Sequence, residues 1–312
     1  MTEIRTAVIG TGYLGRFHAE KYAAIPGSRL VAVVDADAAR AAEIGGKLGV
    51  DWAADYRELE GRVDAVSVAV PTPLHYEIGE FFLSRGVHVL VEKPMTRTVA
   101  EADGLIRAAA EHGCVLQVGH LERFNPAVMS VRDRVREPLF IEAHRISPFQ
   151  VRGTDVNVVL DLMIHDIDLI LSLVDAPITR VDTVGVPVLT SGVDIANARL
   201  QFANGCVANV TASRVSNKTE RKMRIFESDT YVSIDFQQKA VEIRQRRDGT
   251  IDTETLSHQD ADALRAQIES FLAAIRGNIA PVVSGADGRR ALETALAISE
   301  QLQAQMRRTV SA

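Results

Sequence analysis

The sequence predicts an α/β protein with two domains: an N-terminal Rossmann domain with a doubly wound parallel sheet (1–120), and a C-terminal α+β domain with a large open, mostly antiparallel sheet (121–312). In the first domain, short Val/Ile/Ala runs alternate with longer helical patterns, which is typical of a parallel sheet covered by helices. In the second, longer strands alternate apolar and polar residues between turn signals such as ANG and RDG. We expect a cleft between the two halves.

Five continuous apolar runs in the first domain predict strands that are buried on both faces. They are RTAVIG (5–10), RLVAVVD (29–35), VDAVSVAV (63–70), VHVLVE (87–92) and VLQVG (115–119). The helical patterns between them begin near Tyr13, Asp37, Leu74 and Thr98.

One helix with a polar stripe, LDLMIHDIDLIL (160–171), opens the second domain's pattern. At 100° per residue, Asp161, His165 and Asp168 fall within about 80° of one another, and Asp166 points about 140° away from Asp161. We therefore expect Asp166 to be structural or exposed. Six alternating strands follow between residues 178 and 247, and helical patterns over about 260–276 and 286–308 close the chain.

The composition, 46% hydrophobic and 24% charged, is typical of a globular protein, and the net charge of −6 argues against a nucleic-acid partner. Cys114 and Cys206 lie far apart in apolar contexts, where a buried thiol is expected rather than a disulfide. The N-terminus shows no charged leader or apolar signal segment, and no run of about 20 apolar residues occurs, so we expect a cytoplasmic protein without membrane contact.

The motif GTGYLG leaves the first strand and opens a helix, so its residues are candidate dinucleotide-binding residues: Gly10, Gly12, Tyr13, Leu14 and Gly15. The glycines permit a tight turn and a close approach to pyrophosphate, and the helix N-terminus favours negative charge. Asp35, at the end of the second strand, can accept both ribose hydroxyls and repels a 2′-phosphate, so NAD is favoured over NADP. Arg40 nearby weakens that choice, and Asp35 can equally be a helix-capping acid.

Lys93, in VEKP at the end of a predicted parallel strand, points toward the edge where such sheets bind ligands. An ammonium there can donate to a substrate oxygen or exchange a proton with it. The alternative is a solvated loop lysine or a phosphate contact. Pro94 allows a cis peptide bond at this turn. No tyrosine has a lysine four residues later, which excludes short-chain dehydrogenase chemistry, and no GxxxxGK phosphate loop occurs.

Together GTGYLG, PTPLHYEI (71–78), VHVLVEKP (87–94), QVGHLERFNP (117–126) and DLMIHDID (161–168) resemble the glucose-fructose oxidoreductase / inositol dehydrogenase / MocA family over the whole chain. The resemblance implies NAD(P)-dependent redox chemistry at a sugar-like carbon, with Lys93, Asp161 and His165 meeting the substrate beside the nicotinamide. Segments such as HLERFNP and MIHDID are most similar to the UDP-N-acetylglucosamine 3-dehydrogenase branch of lipid A synthesis. That branch oxidises the sugar 3-hydroxyl to a ketone, which an aminotransferase then uses.

Further site residues follow from position and resemblance. Pro71 and Thr72 follow a parallel strand and are expected to border the nicotinamide ribose, and Glu92 precedes the lysine. His75 either joins the cofactor site or is a satisfied helix N-terminal residue. By resemblance Arg123 and Asn125 are candidate substrate contacts; the alternative is a hydrogen-bonded inter-domain linker.

For the chemistry, His165 is the more natural base at neutral pH, Asp161 orients the substrate or the ring, and Lys93 holds the reacting hydroxyl, although Lys93 remains a rival base. Asp168 is expected to support this group. A zinc site built on the same side chains is the alternative, but no HExxH or paired-cysteine pattern supports it, so no metal is predicted.

The basic segment RVSNKTERKMR (214–224) offers Arg214 and Lys218 for a substrate diphosphate, with Arg221 and Lys222 beside them; a simply solvated charge run is the alternative. Rival functions are a family enzyme acting on inositol, a free sugar or a dihydrodiol, and a non-catalytic NAD-bound sensor or scaffold. One face of the second sheet is expected to need cover, which predicts a homodimer or homotetramer through it.

Overall fold

A computed structural model of the protein describes residues 3–149, 157–259 and 261–310. The first sheet lies in the N-terminal part of the chain. Its strands are β1 (Ile4–Ile9), β2 (Ser28–Val34), β3 (Asp51–Ala53), β4 (Ala65–Val68), β5 (His88–Glu92) and β6 (Leu116–Gly119). All pair in parallel, in the order β3-β2-β1-β4-β5-β6. The chain order reverses between β1 and β4, and ligands bind open α/β sheets at such a switch point. The predicted doubly wound sheet is confirmed.

The four helices of the N-terminal part begin near the residues that the sequence predicts, and side chains cap two of them. They are α1 (Tyr13–Ala24), α2 (Ala38–Leu48), α3 (His75–Leu83) and α4 (Val99–Glu111). Asp37 accepts hydrogen bonds from the first-turn N–H groups of α2, and Thr98 forms a capping box with Glu101 at α4. A 3₁₀ turn over Thr72–Leu74 leads into α3.

The second sheet has eight strands in the order β14-β13-β12-β11-β7-β10-β9-β8. They are β7 (Phe140–Ile146), β8 (Ile178–Val186), β9 (Ile195–Phe202), β10 (Val207–Ser213), β11 (Glu220–Phe226), β12 (Thr230–Asp235), β13 (Ala240–Arg247) and β14 (Thr250–Ser257). All neighbours are antiparallel except β7 and β10, so the predicted mostly antiparallel sheet is confirmed. Residues on one face are buried in a large apolar core, and those on the other are mostly half-buried.

The remaining helices are α5 (Pro126–Val131), α6 (Ile164–Leu173), α7 (Ala263–Gly277) and α8 (Gly285–Val310). The last two confirm the helical patterns that close the sequence. Within the described ranges, no helix is both long and apolar enough to cross a membrane.

The chain divides into a first unit, Met1–Phe124 with Asp262–Arg289, and a second unit, Asn125–Ala261 with Arg290–Ala312. The sequence places everything after residue 120 in one domain, whereas the structure returns α7 to the first unit. The reason is apolar burial: Ile268, Phe271 and Leu272 are fully buried in the same core cluster as Tyr22 and Leu90.

The stretch with the polar stripe is not one α-helix. Val159–Met163 forms a π-helical turn, and α6 begins only at Ile164. The Asn157 side chain accepts hydrogen bonds from the N–H groups of Val159 and Leu160, both at 3.0 Å, and so caps the turn. A π turn has more residues per turn than an α-helix, so the angles predicted at 100° per residue do not hold across Asp161. Such turns occur frequently at functional sites.

Candidate active site

The glycine turn between β1 and α1 has three glycines in three different environments. Gly10 has a φ of +88°, a conformation that favours glycine. A Cβ on Gly15 would overlap the carbonyl oxygen of Gly10, so the turn can close only without a side chain there. A Cβ on Gly12 would meet no described atom within 4 Å, and Gly12 gives α1 no side-chain cap. The turn therefore leaves open space at the N-terminus of α1, which fits a pyrophosphate.

Asp35, at the end of β2, is held as an anion. Its carboxylate accepts hydrogen bonds from the N–H of Thr11 at 2.8 Å, the hydroxyl of Thr11 at 3.0 Å and the N–H of Asp37 at 2.9 Å. Burial raises the pKa of Asp35, but the bonds from Asp37 and Thr11 and the charge of Arg40 outweigh it and lower the pKa below its ordinary value. The Arg40 guanidinium lies 3.3 Å from the carboxylate. An acceptor with this fixed charge fits a ribose diol better than a 2′-phosphate.

The turn after β5 carries the predicted lysine. Lys93 is half-buried, and the Lys93–Pro94 peptide bond is cis. Glu92 is only 8% exposed. A Cβ on Gly119, at the end of β6, would overlap the Glu92 carboxylate, so the bare backbone of the neighbouring strand makes room for that side chain.

His75 is buried and binds backbone rather than solvent. Its Nδ1 lies 2.9 Å from the carbonyl oxygen of Pro94, and its Nε2 lies 2.8 Å from that of Val70. Burial lowers the pKa of His75, although both carbonyls and the charge of Glu92 act in the opposite direction. The ring thus links the turn after β4, which carries Pro71 and Thr72, to the turn after β5.

Three residues beside this turn were not predicted from the sequence: His18 and Tyr22 on α1, and Ser67 on β4. His18 Nε2 lies 3.2 Å from Oε1 of Glu92, and its Nδ1 lies 3.1 Å from the Ser67 hydroxyl. The Tyr22 hydroxyl lies 2.8 Å from that of Ser67. The one available signal is position: His18 follows Gly15 by three residues, which is the same face of a helix.

In the second unit, the structure divides the polar stripe by burial. Asp161 and His165 are half-buried, whereas Asp166 and Asp168 are 0% and 1% exposed. Asp166 forms a two-point ion pair with Arg145 on β7, with both N–O distances 2.9 Å. Of the two alternatives expected for Asp166, structural or exposed, the structure supports the first. No group of three metal-ligating side chains occurs among the described residues.

Arg123 and Asn125 both make structural contacts. The Arg123 side chain is 8% exposed, and one guanidinium nitrogen lies 4.0 Å from a carboxylate oxygen of Asp287. Asn125 is the N-cap of α5: its side-chain oxygen accepts a hydrogen bond from the N–H of Ala127 at 3.1 Å, and its amide nitrogen donates to the Phe236 carbonyl at 3.4 Å. The Arg123 contact lies within the first unit and the Asn125 contacts lie within the second, and the role of both residues as substrate contacts stays a prediction.

The two predicted diphosphate contacts lie in different environments. The Arg214 side chain is only 7% exposed, with Nε 3.6 Å from the Asp194 carboxylate. Asp194 also accepts the backbone N–H groups of Val188, Leu189 and Thr190. By contrast, the Lys218 side chain is 65% exposed and pairs with Glu220 at 3.0 Å. Lys218 is therefore more accessible to a ligand than Arg214.

Comparison with known proteins connects both units to one group of enzymes. A family model described as "Oxidoreductase family, NAD-binding Rossmann fold" of the GFO/IDH/MocA group matches residues 4–120, and the model of the GFO/IDH/MocA C-terminal domain matches residues 130–232. The chain is 42% identical to UDP-N-acetylglucosamine 3-dehydrogenase of Acidithiobacillus ferrooxidans over 99% of its own length and 100% of the relative's.

Solved structures show the same fold. A structure of that Acidithiobacillus ferrooxidans enzyme has a TM-score of 0.92 and 43% identity, covering 97% of this chain and 99% of the other. A scyllo-inositol dehydrogenase from Lactobacillus casei with bound NAD(H) and scyllo-inositol has a TM-score of 0.84 and 21% identity, covering 97% of this chain and 98% of the other. The second likeness concerns the fold alone.

Proposed function

Because the chain belongs to the GFO/IDH/MocA family of oxidoreductases, which has an NAD-binding Rossmann fold, we propose that it oxidises the 3-hydroxyl of UDP-N-acetylglucosamine to a ketone with NAD. The observation that carries this proposal is the 42% identity to a UDP-N-acetylglucosamine 3-dehydrogenase over the full length of both chains. Within the family, relatives with inositol dehydrogenase names are less similar: two match about half of this chain at 30% and 35% identity, and one matches 94% of it at 25% identity.

The first unit supplies the cofactor site in this proposal. The glycine turn fits the pyrophosphate at the N-terminus of α1, and the Asp35 carboxylate fits the adenosine ribose. Pro71 and Thr72 border the nicotinamide ribose from the turn that His75 holds. The nicotinamide held there would supply the acceptor for the hydride that leaves the carbinol carbon.

In this proposal three side chains bind the sugar 3-hydroxyl or take part in the transfer of its proton. Lys93 donates a hydrogen bond to the reacting oxygen, and His165 takes the proton as general base. Asp161 orients the imidazole or the sugar and stabilises the imidazolium. Both Asp161 and His165 are half-buried, which leaves them partly accessible while limiting competition from water. Lys93 is the alternative base, and the pH profiles discussed below separate the two assignments.

Lys218 is the better candidate for the substrate diphosphate, because Arg214 is engaged by Asp194. Inhibition of the dehydrogenase by UDP tests this. We expect Lys218→Ala to weaken UDP inhibition and Lys47→Ala, an exposed lysine on α2, to leave it unchanged. Equal inhibition of both variants excludes Lys218. Arg214→Ala is less informative because it also breaks the Asp194 pair.

The half-buried face of the second sheet supports assembly into a homodimer or homotetramer through that face. It carries ion pairs such as Arg224 with Glu142 and Lys222 with Asp235, which allow polar contacts between copies. A monomer in light scattering at micromolar concentration overturns this part. In this proposal an aminotransferase uses the 3-keto product as its substrate. The use of a nucleotide sugar and NAD favours a cytoplasmic location for the protein.

A substrate panel tests the proposed activity. Purified protein with NAD is incubated with UDP-N-acetylglucosamine, inositol or glucose, and NADH formation is followed by absorbance. We expect the nucleotide sugar to give the highest kcat/KM and a product that mass spectrometry shows to lack two hydrogens. Turnover of inositol or glucose instead assigns the chain to another activity of the family. No turnover of any substrate despite NAD binding favours the sensor alternative.

A further inference from the structure

The π turn over Val159–Met163 contains Asp161, and His165 follows it closely at the start of α6. The N–H of Ile164 donates to the carbonyl of Val159, five residues earlier, where an α-helix uses the carbonyl four residues earlier. The π turn therefore holds one residue more than an α-helical turn. Its relaxation to an α-helix would rotate Asp161 by about 100° around the axis relative to His165. The direction of Asp161 thus depends on this turn.

Asn157 holds the start of the π turn with three hydrogen bonds. Its side-chain oxygen accepts the N–H groups of Val159 and Leu160, both at 3.0 Å, and its backbone carbonyl accepts the N–H of Asp161 at 3.0 Å. The first two N–H groups belong to the start of a helix, where they have no acceptor within the helix itself. Asn157 therefore determines how the chain enters the turn.

A serine on α8 fixes the orientation of the Asn157 amide. Asn157 Nδ2 donates to the Ser299 hydroxyl oxygen at 3.2 Å, and the Ser299 hydroxyl donates its own proton to the carbonyl of Ala295 at 2.7 Å. Ser299 is only 6% exposed. Because its proton is directed to Ala295, the serine oxygen acts toward Asn157 as an acceptor. The amide therefore points its nitrogen at α8 and its oxygen at the π turn.

Apolar packing is the other force that acts on the turn. Val159, Met163 and Ile164 are buried in the large core of the second unit, whereas Asp161 and His165 are half-buried. Hydrophobic burial is non-directional, so it anchors the turn without selecting one hydrogen-bond pattern over another. Hydrogen bonds depend on direction, so those of Asn157 can make that selection.

We propose that Asn157 and Ser299 are positioning residues: they hold the π turn and thereby set the direction of Asp161 relative to His165. Their effect on catalysis rests on the proposed dehydrogenase function, in which Asp161 and His165 act on the sugar hydroxyl. Their effect on the turn requires neither substrate nor cofactor. If packing alone holds the turn, removal of the Ser299 hydroxyl changes neither the turn nor the rate.

Four substitutions separate the cap from the link to α8. Ser299→Ala removes the link and leaves the cap, and Asn157→Ser keeps a capping oxygen but is too short to reach Ser299. Asn157→Ala removes both, whereas Ser299→Thr keeps the hydroxyl and is the conservative variant. Ser130→Ala is the matched control, because the Ser130 hydroxyl also donates to a helix carbonyl, that of Ala127 in α5.

The first measurement is made on the apo protein and reads the turn directly. Hydrogen exchange of the Val159 and Leu160 amides is followed by mass spectrometry with fragmentation. We expect exchange to become about fivefold to tenfold faster in Asn157→Ala, the scale of one lost hydrogen bond, and faster by a smaller factor in Ser299→Ala. Ser130→Ala is expected to exchange as the wild type does. Unchanged exchange in both Asn157→Ala and Ser299→Ala overturns the proposal.

The same apo samples report on the direction of the site. The NMR resonances of the His165 ring, assigned through His165→Asn, depend on the groups around the ring. We expect them to shift in Asn157→Ala and in Ser299→Ala and to keep their wild-type positions in Ser130→Ala. Resonances that stay in place in both site variants overturn the proposal.

The second measurement is kcat and KM for the substrate that the wild type uses best. We expect kcat to fall about a hundredfold in Asn157→Ala and about tenfold in Ser299→Ala, the scale of a small displacement of a catalytic group, with a smaller effect on KM. Ser299→Thr is expected to keep most of the wild-type kcat. Losses of kcat that only follow the melting temperature overturn the proposal in favour of packing.

A double variant tests whether the two residues act as one unit. Asn157→Ser and Ser299→Ala break the same link, so each is expected to lower kcat by the same factor, and the variant with both substitutions is expected to lose no more than either one. Losses that multiply in the double variant contradict a shared link.

The apo measurements and the kinetics keep the two proposals apart. A wild type inactive toward UDP-N-acetylglucosamine defeats the proposed function, while the exchange rates and the His165 resonances still decide whether Asn157 and Ser299 hold the turn. Faster exchange with unchanged kcat rejects the positioning role and leaves the proposed activity intact. If Asn157→Ala does not fold, Ser299→Ala and Asn157→Ser decide the question, since both keep a cap at the start of the turn.

Discussion

Arg145 on β7 and Asp166 on α6 form a buried two-point ion pair with both N–O distances 2.9 Å, and the guanidinium also lies 5.5 Å from the ring centre of Phe236. The side chains are 3% and 1% exposed. The pair joins the helix that carries His165 to the central strand of the second sheet. It therefore fixes that helix to the sheet.

Removing one partner of this pair is expected to be expensive. We predict that Asp166→Asn lowers the free energy of unfolding by about 3–5 kcal/mol, because it leaves the Arg145 charge buried without its counterion. Urea unfolding measures the loss. Glu269→Gln, which breaks an exposed pair with Arg265 on α7, is the control and is expected to cost less than about 1 kcal/mol. Equal effects of the two substitutions contradict the burial argument.

Two glycines of the glycine turn are expected to have different roles, Gly12 in cofactor binding and Gly15 in folding. Gly12→Ala is expected to leave the melting temperature unchanged and to weaken NADH binding about tenfold or more, because its Cβ meets no described atom but enters the space assigned to the pyrophosphate. Gly15→Ala is expected to destabilise the protein, since its Cβ overlaps the Gly10 carbonyl oxygen. Gly46→Ala, in an open position on α2, is the control and is expected to gain up to about 1 kcal/mol. Full NADH affinity in Gly12→Ala contradicts this site.

Asp35 is expected to set the choice of dinucleotide. Asp35→Ser removes the anion that repels a 2′-phosphate. In the wild type the Arg40 guanidinium lies 3.3 Å from the Asp35 carboxylate, and the substitution frees this guanidinium to bind the 2′-phosphate. We predict that the ratio of kcat/KM for NADP to that for NAD rises about tenfold to a hundredfold, a change of about 1–3 kcal/mol. Asp37→Ser, which removes the other carboxylate paired with Arg40, serves as comparison. An unchanged ratio in Asp35→Ser refutes the assignment.

Hydride transfer is expected to depend on both predicted catalytic side chains. Lys93→Met and His165→Asn are each predicted to lower kcat/KM about a hundredfold or more. Loss of the acid limb of the pH profile in His165→Asn identifies His165 as the base, whereas its loss in Lys93→Met identifies the lysine. Lys47→Met and His112→Asn, both at exposed positions, are the controls. Near-native rates in both site variants exclude this mechanism.

Asp194 is expected to make stability depend on acid pH. Burial raises its pKa, but the N–H groups of Thr190, Val188 and Leu189 outweigh that and lower the pKa to about 2. Because the folded pKa lies below the unfolded value of 3.8, the stabilisation is present above pH 3.8 and disappears as the pH falls toward 2. We predict that Asp194→Asn costs about 2 kcal/mol near neutral pH. Urea unfolding of wild type and variant should converge in acid, and a constant difference down to pH 2 contradicts this source of stability.

Sequence patterns predicted the first sheet well because its strands are continuous apolar runs. Both faces of these strands are buried, so nearly every position is apolar. Three strands were missed for identifiable reasons. β3 has only three residues. β7 contains the charged Arg145 on its buried side, a burial that the Asp166 contact makes possible. β14 is mostly exposed and has no apolar alternation to detect.

The candidate site was predictable wherever one short motif contains the chemistry. The glycine turn, Asp35 and Lys93 belong to this class, because position at a strand end indicates their environment. His18 was not predictable, since its partners Ser67 and Glu92 are distant in sequence and meet only in the folded sheet. The π turn at Asp161 was not predicted either. The period of 100° per residue assumes α-helical hydrogen bonds, and a π turn has a different hydrogen-bond pattern.

A Cβ on Gly119 would overlap the Glu92 carboxylate on the adjacent strand. A larger residue at position 119 therefore requires the Glu92 side chain to move away or to be replaced by a shorter one. Laboratory evolution of this enzyme toward new substrates should therefore find substitutions at position 119 accompanied by a change at position 92.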